Sequence, residues 1–229
     1  MGRVFHDLSH PIREGMVTYP GLPSPRIGEH LDRDSAETIY GPGVTFQMGM
    51  IEMCSNTGTY LDTPFHRFAD GHDLAGLTLE RVADVPAVCF TRLDTAVIDL
   101  PRLGGLDFEG CAILFRTDHS QHFGTPRYFE DHPYISVATA QALVEANVAC
   151  VGIDSLNIDA TSGDDGAGRP VHTTLLGAGI PIIEHLTNLA SLPRVGFRFS
   201  AVPPKVEGMG TFPVRAFATV DDDWTGIEP

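Results

Sequence analysis

The chain has 229 residues, 42% of them hydrophobic and 20% charged, which suits one globular domain over 1–229 and leaves no room for two domains with a linker. Thirty acidic against 15 basic side chains give a formal net charge of −15, which repels phosphate backbones and anionic lipid and so argues against nucleic-acid and membrane partners. The opening residues carry no apolar leader core and no stretch approaches the roughly 18 apolar residues of a spanning helix, so a cytoplasmic location is expected.

Twenty-four Gly and 17 Pro exceed the average share of roughly 12% and are spread along the whole chain, predicting short strands joined by many turns. In chain order, apolar and β-branched runs bounded by Gly, Pro or Asp predict strands over 43–53, 95–100, 112–116, 148–153, 181–183, 195–200 and 212–220. The clearest helix is expected over 136–147, where Ser136 can cap a stretch that places Val137, Ala140, Leu143 and Val144 on one face. Shorter helices are expected over 77–82 and 186–192. Strand 112–116, helix 136–147 and strand 148–153 read as one βαβ unit, while the N-terminal half reads as a β-meander, giving a mixed α/β domain. Cys54, Cys89, Cys111 and Cys150 form no C-x-x-C pair and are expected to be reduced. Trp224, the only tryptophan, sits in an acidic tail that reads as a packed or solvated terminus.

The densest polar segment is 54–66, Cys-Ser-Asn-Thr-Gly-Thr-Tyr-Leu-Asp-Thr-Pro-Phe-His. In an extended chain a period of two puts Asn56, Tyr60, Asp62 and His66 on one face and Leu61 with Phe65 on the other. A carboxylate and an imidazole converging in this way suit metal ligation or acid/base work, and a polar strand edge is the plain alternative. The second segment, 169–185, places Glu184 at the end of an apolar run. A carboxylate buried there needs a cation or a proton. His172 lies twelve residues earlier, joined through Gly-Ala-Gly, which is permissive enough to fold back. His119, in the loop after strand 112–116, is a further candidate for substrate contact.

These two segments together resemble the cyclase family, which includes bacterial kynurenine formamidases and isatin hydrolases. Its signature, His-x-Gly-Thr-His-x-Asp-x-Pro-x-His, is followed far downstream by a His and, twelve residues on, a Glu. Asp7-Leu8-Ser9-His10-Pro11, Tyr19-Pro20-Gly21, Val151-Gly152-Ile153-Asp154 and the run Leu175 to Pro181 extend the resemblance over most of the chain. The family implies an α/β domain of the swivelling β/β/α type, a homodimer or homotetramer, and hydrolysis of a small amide substrate by metal-activated water. By position it implies Asp62, His172 and Glu184 as metal ligands, His66 as the acid/base, and Tyr19 as a substrate wall.

Asn56 and Tyr60 stand where the signature has its first two His. An amide oxygen and a neutral phenol are poor zinc ligands, so a two-zinc site is not expected. The remaining two carboxylates and one imidazole suit one divalent ion such as Mn²⁺ or Zn²⁺. Asn56 then becomes a candidate for substrate contact and Tyr60 for proton transfer. Three functions follow: a metal-dependent hydrolase of a cyclic or aryl amide; a metal-independent cyclase, dehydratase or isomerase using His66 and Tyr60; or a non-catalytic binder of a small ligand.

Overall fold

A computed structural model describes residues 2–92, 95–100 and 107–221, the side chain of Asp165 excepted. Trp224 lies outside them. In chain order the elements are strands β1 (Arg3–Asp7) and β2 (Arg26–Leu31), helix α1 (Arg33–Tyr40), strands β3 (Met48–Glu52), β4 (Tyr60–Asp62), β5 (Val85–Thr91), β6 (Val97–Ile98), β7 (Ala112–Arg116) and β8 (Tyr134–Ile135), helix α2 (Val137–Glu145), strand β9 (Cys150–Ile153), helix α3 (Pro170–Gly177), and strands β10 (Ile182–Glu184), β11 (Phe197–Ser200), β12 (Thr211–Pro213) and β13 (Phe217–Asp221). Among the described residues no helix is long and apolar enough to cross a membrane.

Nine strands form one sheet in the order β1-β13-β11-β5-β7-β9-β10-β4-β12. The middle run from β5 to β10 is parallel and the flanks are antiparallel. The order itself dictates the shape. β12 closes one end and β13 lies next to the other, yet only 214–216 separate them, a span of at most roughly 14 Å. Nine strands laid flat would extend about 40 Å, so the sheet curls until its ends approach. Leu8 N–H donates to Ala216 O at 2.9 Å and Thr187 N–H to Leu8 O at 3.0 Å, tying the closing ends together.

Both faces of the central strands are buried. On β7, Ala112 and Leu114 join a core inside the curl with Leu61, Val85, Ile183 and Phe199. Ile113 and Phe115 join a second core with Leu143, Leu175, Leu176 and Ile182, covered by α2 and α3. This two-sided burial explains why 112–116 reads as an unbroken apolar run rather than an alternating one. Ser136 caps α2 by accepting from Thr139 N, so the expected βαβ unit is present, with β7 and β9 parallel.

Several expectations change. Residues 43–47 are not strand, because Gly43 at φ 80° turns the chain before β3. The run 95–100 contributes only β6. The run 212–220 breaks into β12 and β13 as the curl closes. Residues 79–81 and 189–191 form single 3-10 turns within the two short helices expected. β1, β2, α1, β5, β8 and α3 went unforeseen. Pro86 masks β5 in the sequence, but pairing with β7 begins only at Ala87. α3 has Pro170 at its first turn, the one helical place where the missing N–H costs nothing. Its next two amides, Val171 and His172, are capped by the Asp159 carboxylate at 2.7 and 3.0 Å. That cap lies outside the helix sequence.

Candidate active site

Strand register assembles the site. β10 pairs with β4 so that Glu184 faces Tyr60 and Ile182 faces Asp62, while β12 on the other side of β4 sets Thr211 against Asp62. Directly opposed residues share a face at about 5 Å, so Tyr60, Asp62, Glu184 and Thr211 converge while Leu61 enters the core behind them. Tyr60, Asp62 and Glu184 are all buried. The Tyr60 hydroxyl donates to Glu184 Oε2 at 2.6 Å, and Ile158 N–H donates to Oε1 at 2.6 Å. Asn56 faces the same hydroxyl.

His172 comes from α3, where Val171, His172, Leu175 and Leu176 make the buried stripe. Its Nδ1 meets Asp159 Oδ2 at 2.6 Å. Nε2 then points at Asp62 Oδ2, 3.7 Å away, and Glu184 Oε1, 3.8 Å away. Both separations are too long for hydrogen bonds. Asp62 Oδ2 is buried with no hydrogen-bond partner.

His66 does not continue the strand face. β4 ends at Asp62, and His66 is delivered by a 3-10 turn, Pro64–His66. Thr63 N–H donates to Gly210 O at 2.7 Å and His66 N–H to Thr63 O at 2.9 Å, fixing the turn against the segment leading into β12. The Thr211 hydroxyl donates to Asp62 Oδ1 and lies 2.8 Å from His66 Nδ1. A threonine has one hydroxyl hydrogen. With it spent on Asp62, the oxygen accepts from His66 Nδ1–H, which leaves the lone pair of the neutral ring on Nε2. The His66 side chain is 36% exposed.

The electrostatics call for positive charge at this point. Burial would lower His172, but the hydrogen bond it donates to Asp159 and the neighbouring Asp62 and Glu184 push its pKa up to about 10. Burial would raise Asp62, yet His172 and His66 hold it below the usual carboxylate range. Glu184 is raised, by burial first, with the charge of Asp62 reinforcing and that of His172 opposing. Tyr60 is held well above 10 by burial and by the charges of Glu184 and Asp62, so it is a donor rather than an anion. A proton on His172 and a divalent ion would compete for the same electrostatic niche. Ligand atoms of Asp62, His66 and His172 lie within 4.8 Å of one another. The donor set of oxygens and imidazole, with one buried oxygen unpartnered, fits a divalent cation.

A cleft of about 250 Å³ opens onto this cluster, lined by Tyr19, Leu22, Asn56, Tyr60, His66 and Glu184 among others. His119 is not on its wall. That ring is buried, stacks on Tyr128 with centroids 5.1 Å apart, and bonds Tyr128 O at 2.9 Å. Cys54 lines a different hollow. The sequence reading missed Thr211, Asp159, Asn157 and Arg169. For Asp159 a signal existed, since a carboxylate closely following the buried β9 run needs a partner just as Glu184 does. For Thr211 there was none, because its link to Asp62 spans 149 residues.

Comparison with known proteins places this site in context. The cyclase family model matches residues 6–160. A kynurenine formamidase of Salinibacter ruber is 28% identical over 212 residues, covering 92% of this chain and 94% of that protein. A solved structure described as a potential metal-dependent hydrolase with cyclase activity superposes at a TM-score of 0.76 with 26% identity, covering 100% of both chains. Isatin hydrolase A from Labrenzia aggregata shares the fold at a TM-score of 0.78 and 24% identity, covering 95% of this chain and 94% of the other.

Proposed function

The chain belongs to the cyclase family, and from that premise we propose that it is a metal-dependent hydrolase of a small cyclic or aryl amide, with Asp62, His172 and Glu184 holding one divalent ion, Mn²⁺ or Zn²⁺. The observation that carries this reading is the buried, unpartnered Asp62 Oδ2 facing His172 Nε2 at 3.7 Å, with Glu184 Oε1 at 3.8 Å from the same nitrogen. When bound, the ion supplies Lewis acidity, polarising the amide carbonyl and making water acidic enough to attack at neutral pH.

The chain's own residues supply the rest. Asp159 fixes the His172 tautomer through Nδ1, as outer carboxylates do for ligating histidines. His66, anchored through Thr211 to Asp62, presents Nε2 as the base that takes a proton from water and returns it to the leaving nitrogen. Tyr19 and Leu22 form the apolar wall for a ring, and Asn56 offers a polar contact beside Tyr60. The kynurenine formamidase relative supports an aryl formamide as the substrate class. Assembly as a homodimer or homotetramer also belongs to this proposal; exposed Ile39 and Tyr40 on α1 and Met50 and Ile51 on β3 support it.

Elemental analysis of the purified protein, with formanilide hydrolysis before and after chelation, tests the reading. We expect one divalent ion per chain, loss of turnover on chelation, and a fall of about 10²–10⁴ in turnover for His66→Ala with metal content retained. Turnover in protein free of metal would overturn it. The hydrogen bond from Tyr60 to Glu184 would then favour metal-independent acid/base chemistry by His66 and Tyr60.

A further inference from the structure

The cleft carries two guanidinium groups that the hydrolytic centre does not use. Among the described arginines, Arg3, Arg26, Arg116, Arg198 and Arg215 each pair with a carboxylate, and of those that do not, two face the cleft. Arg169 and Arg67, both on the cleft wall, form no ion pair among the described residues. Their partners are neutral. Arg169 Nη1 donates to Asn157 Oδ1 at 2.8 Å and Nη2 to the Tyr19 hydroxyl at 3.4 Å. Arg67 Nε donates to Thr173 Oγ1 at 3.1 Å and Nη2 to Gly168 O at 3.3 Å. A guanidinium has five N–H donors, so each keeps donors to spare.

The backbone points the same way. Arg169 sits at φ 52°, in the left-handed region, immediately before Pro170. A side chain bearing a β-carbon adopts this conformation at a cost, and such residues gather where a ligand is held. Arg169 is half-buried, with the charges of Glu184 and Asp159 near enough to favour its guanidinium but neither carboxylate bonded to it.

We propose that Arg169, assisted by Arg67, binds a carboxylate on the substrate, so that the amide hydrolysed at this site belongs to an aromatic acid. A planar fork matches a carboxylate, and its fixed positive charge offsets locally the repulsion that a chain of net charge −15 exerts on an anion. Asn157 joins the two halves of the cleft: its Oδ1 accepts from Arg169 while its Nδ2 reaches Glu184 Oε2 at 3.4 Å. One asparagine side chain therefore separates the anion subsite from the hydrolytic centre, which favours a carboxylate adjacent to the scissile amide. Water adds to the amide carbon, the C–N bond breaks, and an aminobenzoate-type product leaves with the acid. This inference rests on the hydrolase reading for its chemistry but not for its binding step.

The test compares 2-formamidobenzoate with formanilide as substrates, and measures 2-aminobenzoate binding by calorimetry, in the wild type, Arg169→Met, Arg169→Lys and Arg67→Gln. The wild type should prefer the carboxylate-bearing amide at least tenfold in kcat/KM. Arg169→Met should reduce that ratio and the affinity for 2-aminobenzoate by roughly 10- to 100-fold, the loss expected for a charge-assisted bond. Arg169→Lys should recover part of both, and Arg67→Gln, a change at an exposed side chain, should lower both to a smaller extent even if Arg169→Met fails to fold. Equal use of the two amides by the wild type, or binding of 2-aminobenzoate that neither arginine affects, overturns the inference. Arginine-dependent binding without hydrolysis of either amide upholds the anion site and overturns the hydrolase reading; neither binding nor hydrolysis overturns both.

Discussion

The hydroxyl of Tyr60 and the carboxylate of Glu184 meet at 2.6 Å across the β4–β10 pair, the phenol standing where the family signature has a histidine. The bond solves two problems at once. It satisfies one oxygen of a fully buried carboxylate, and it leaves Oε1 directed toward His172.

Tyr60→Phe keeps the ring and removes the donor, leaving Glu184 Oε2 with only Asn157 Nδ2 at 3.4 Å. Urea denaturation should show a loss of about 1–3 kcal/mol, the cost of an unsatisfied buried acceptor. If hydrolysis runs through the Asp62, His172 and Glu184 cluster with its ion, turnover should stay within about tenfold of the wild type. A fall of about 10²–10⁴ would instead mark Tyr60 as the proton donor.

Thr211→Val removes the hydroxyl that joins Asp62 Oδ1 to His66 Nδ1. The ring loses its tautomer lock while the volume is nearly kept. Steady-state kinetics should show kcat reduced by roughly 10- to 100-fold with KM little changed, as expected when a reacting group is misplaced by about an ångström. Thr211→Ser should restore most of it. A valine variant with full kcat would remove Thr211 from the positioning of His66.

Buried His132 bonds Ser155 Oγ at 3.2 Å and Thr161 Oγ1 at 3.0 Å, and burial lowers its pKa from 6.5 to about 4. The folded value lies below the unfolded one, so the unfolded chain binds the extra proton first. Stability is therefore complete above about pH 6.5 and drains away as the pH falls toward 4. His10, also lowered to about 4 by burial, acts in the same direction. Denaturation midpoints measured from pH 7.5 to 4 should fall less steeply for His132→Gln than for the wild type. An identical slope would show that burial does not lower the His132 pKa in the folded state.

Gly210 passes so close to the His66 turn that a β-carbon there would lie 2.3 Å from His66 N and 2.6 Å from its Cα. Backbone cannot yield as a side-chain tip does, so Gly210→Ala must displace the turn. A loss of about 1–3 kcal/mol is expected from overpacking, together with a drop in turnover, because the same turn carries His66. Unchanged stability and activity would show that the two segments separate freely.

Local signals served well where an element's stability is local. Ser136 and the apolar spacing that follows it announced α2, and the strand 112–116 is found as read, because a strand buried on both faces is a continuous apolar run. Tyr60, Asp62 and Leu61 were assigned to opposite faces by a period of two, and Glu184 was marked by the cost of burying it. His172 was placed near Glu184 by the permissive Gly-Ala-Gly, but the helix that carries it was hidden, since Thr173 and Thr174 are weak helix formers and the capping carboxylate, Asp159, lies in another segment.

What the residues by themselves determined was the inventory: two carboxylates and two imidazoles in two short segments, and a core large enough to bury them. The tertiary structure decided which atom faces which. Thr211 reaches Asp62, and Tyr60 reaches Glu184, only because β12 and β10 flank β4 in registers that a slip of one residue would reverse. Register is set by pairing across 120 to 150 residues of intervening chain and by the curl that brings β12 close to β13, strands at or near opposite ends of the sheet order, and no window of sequence contains either.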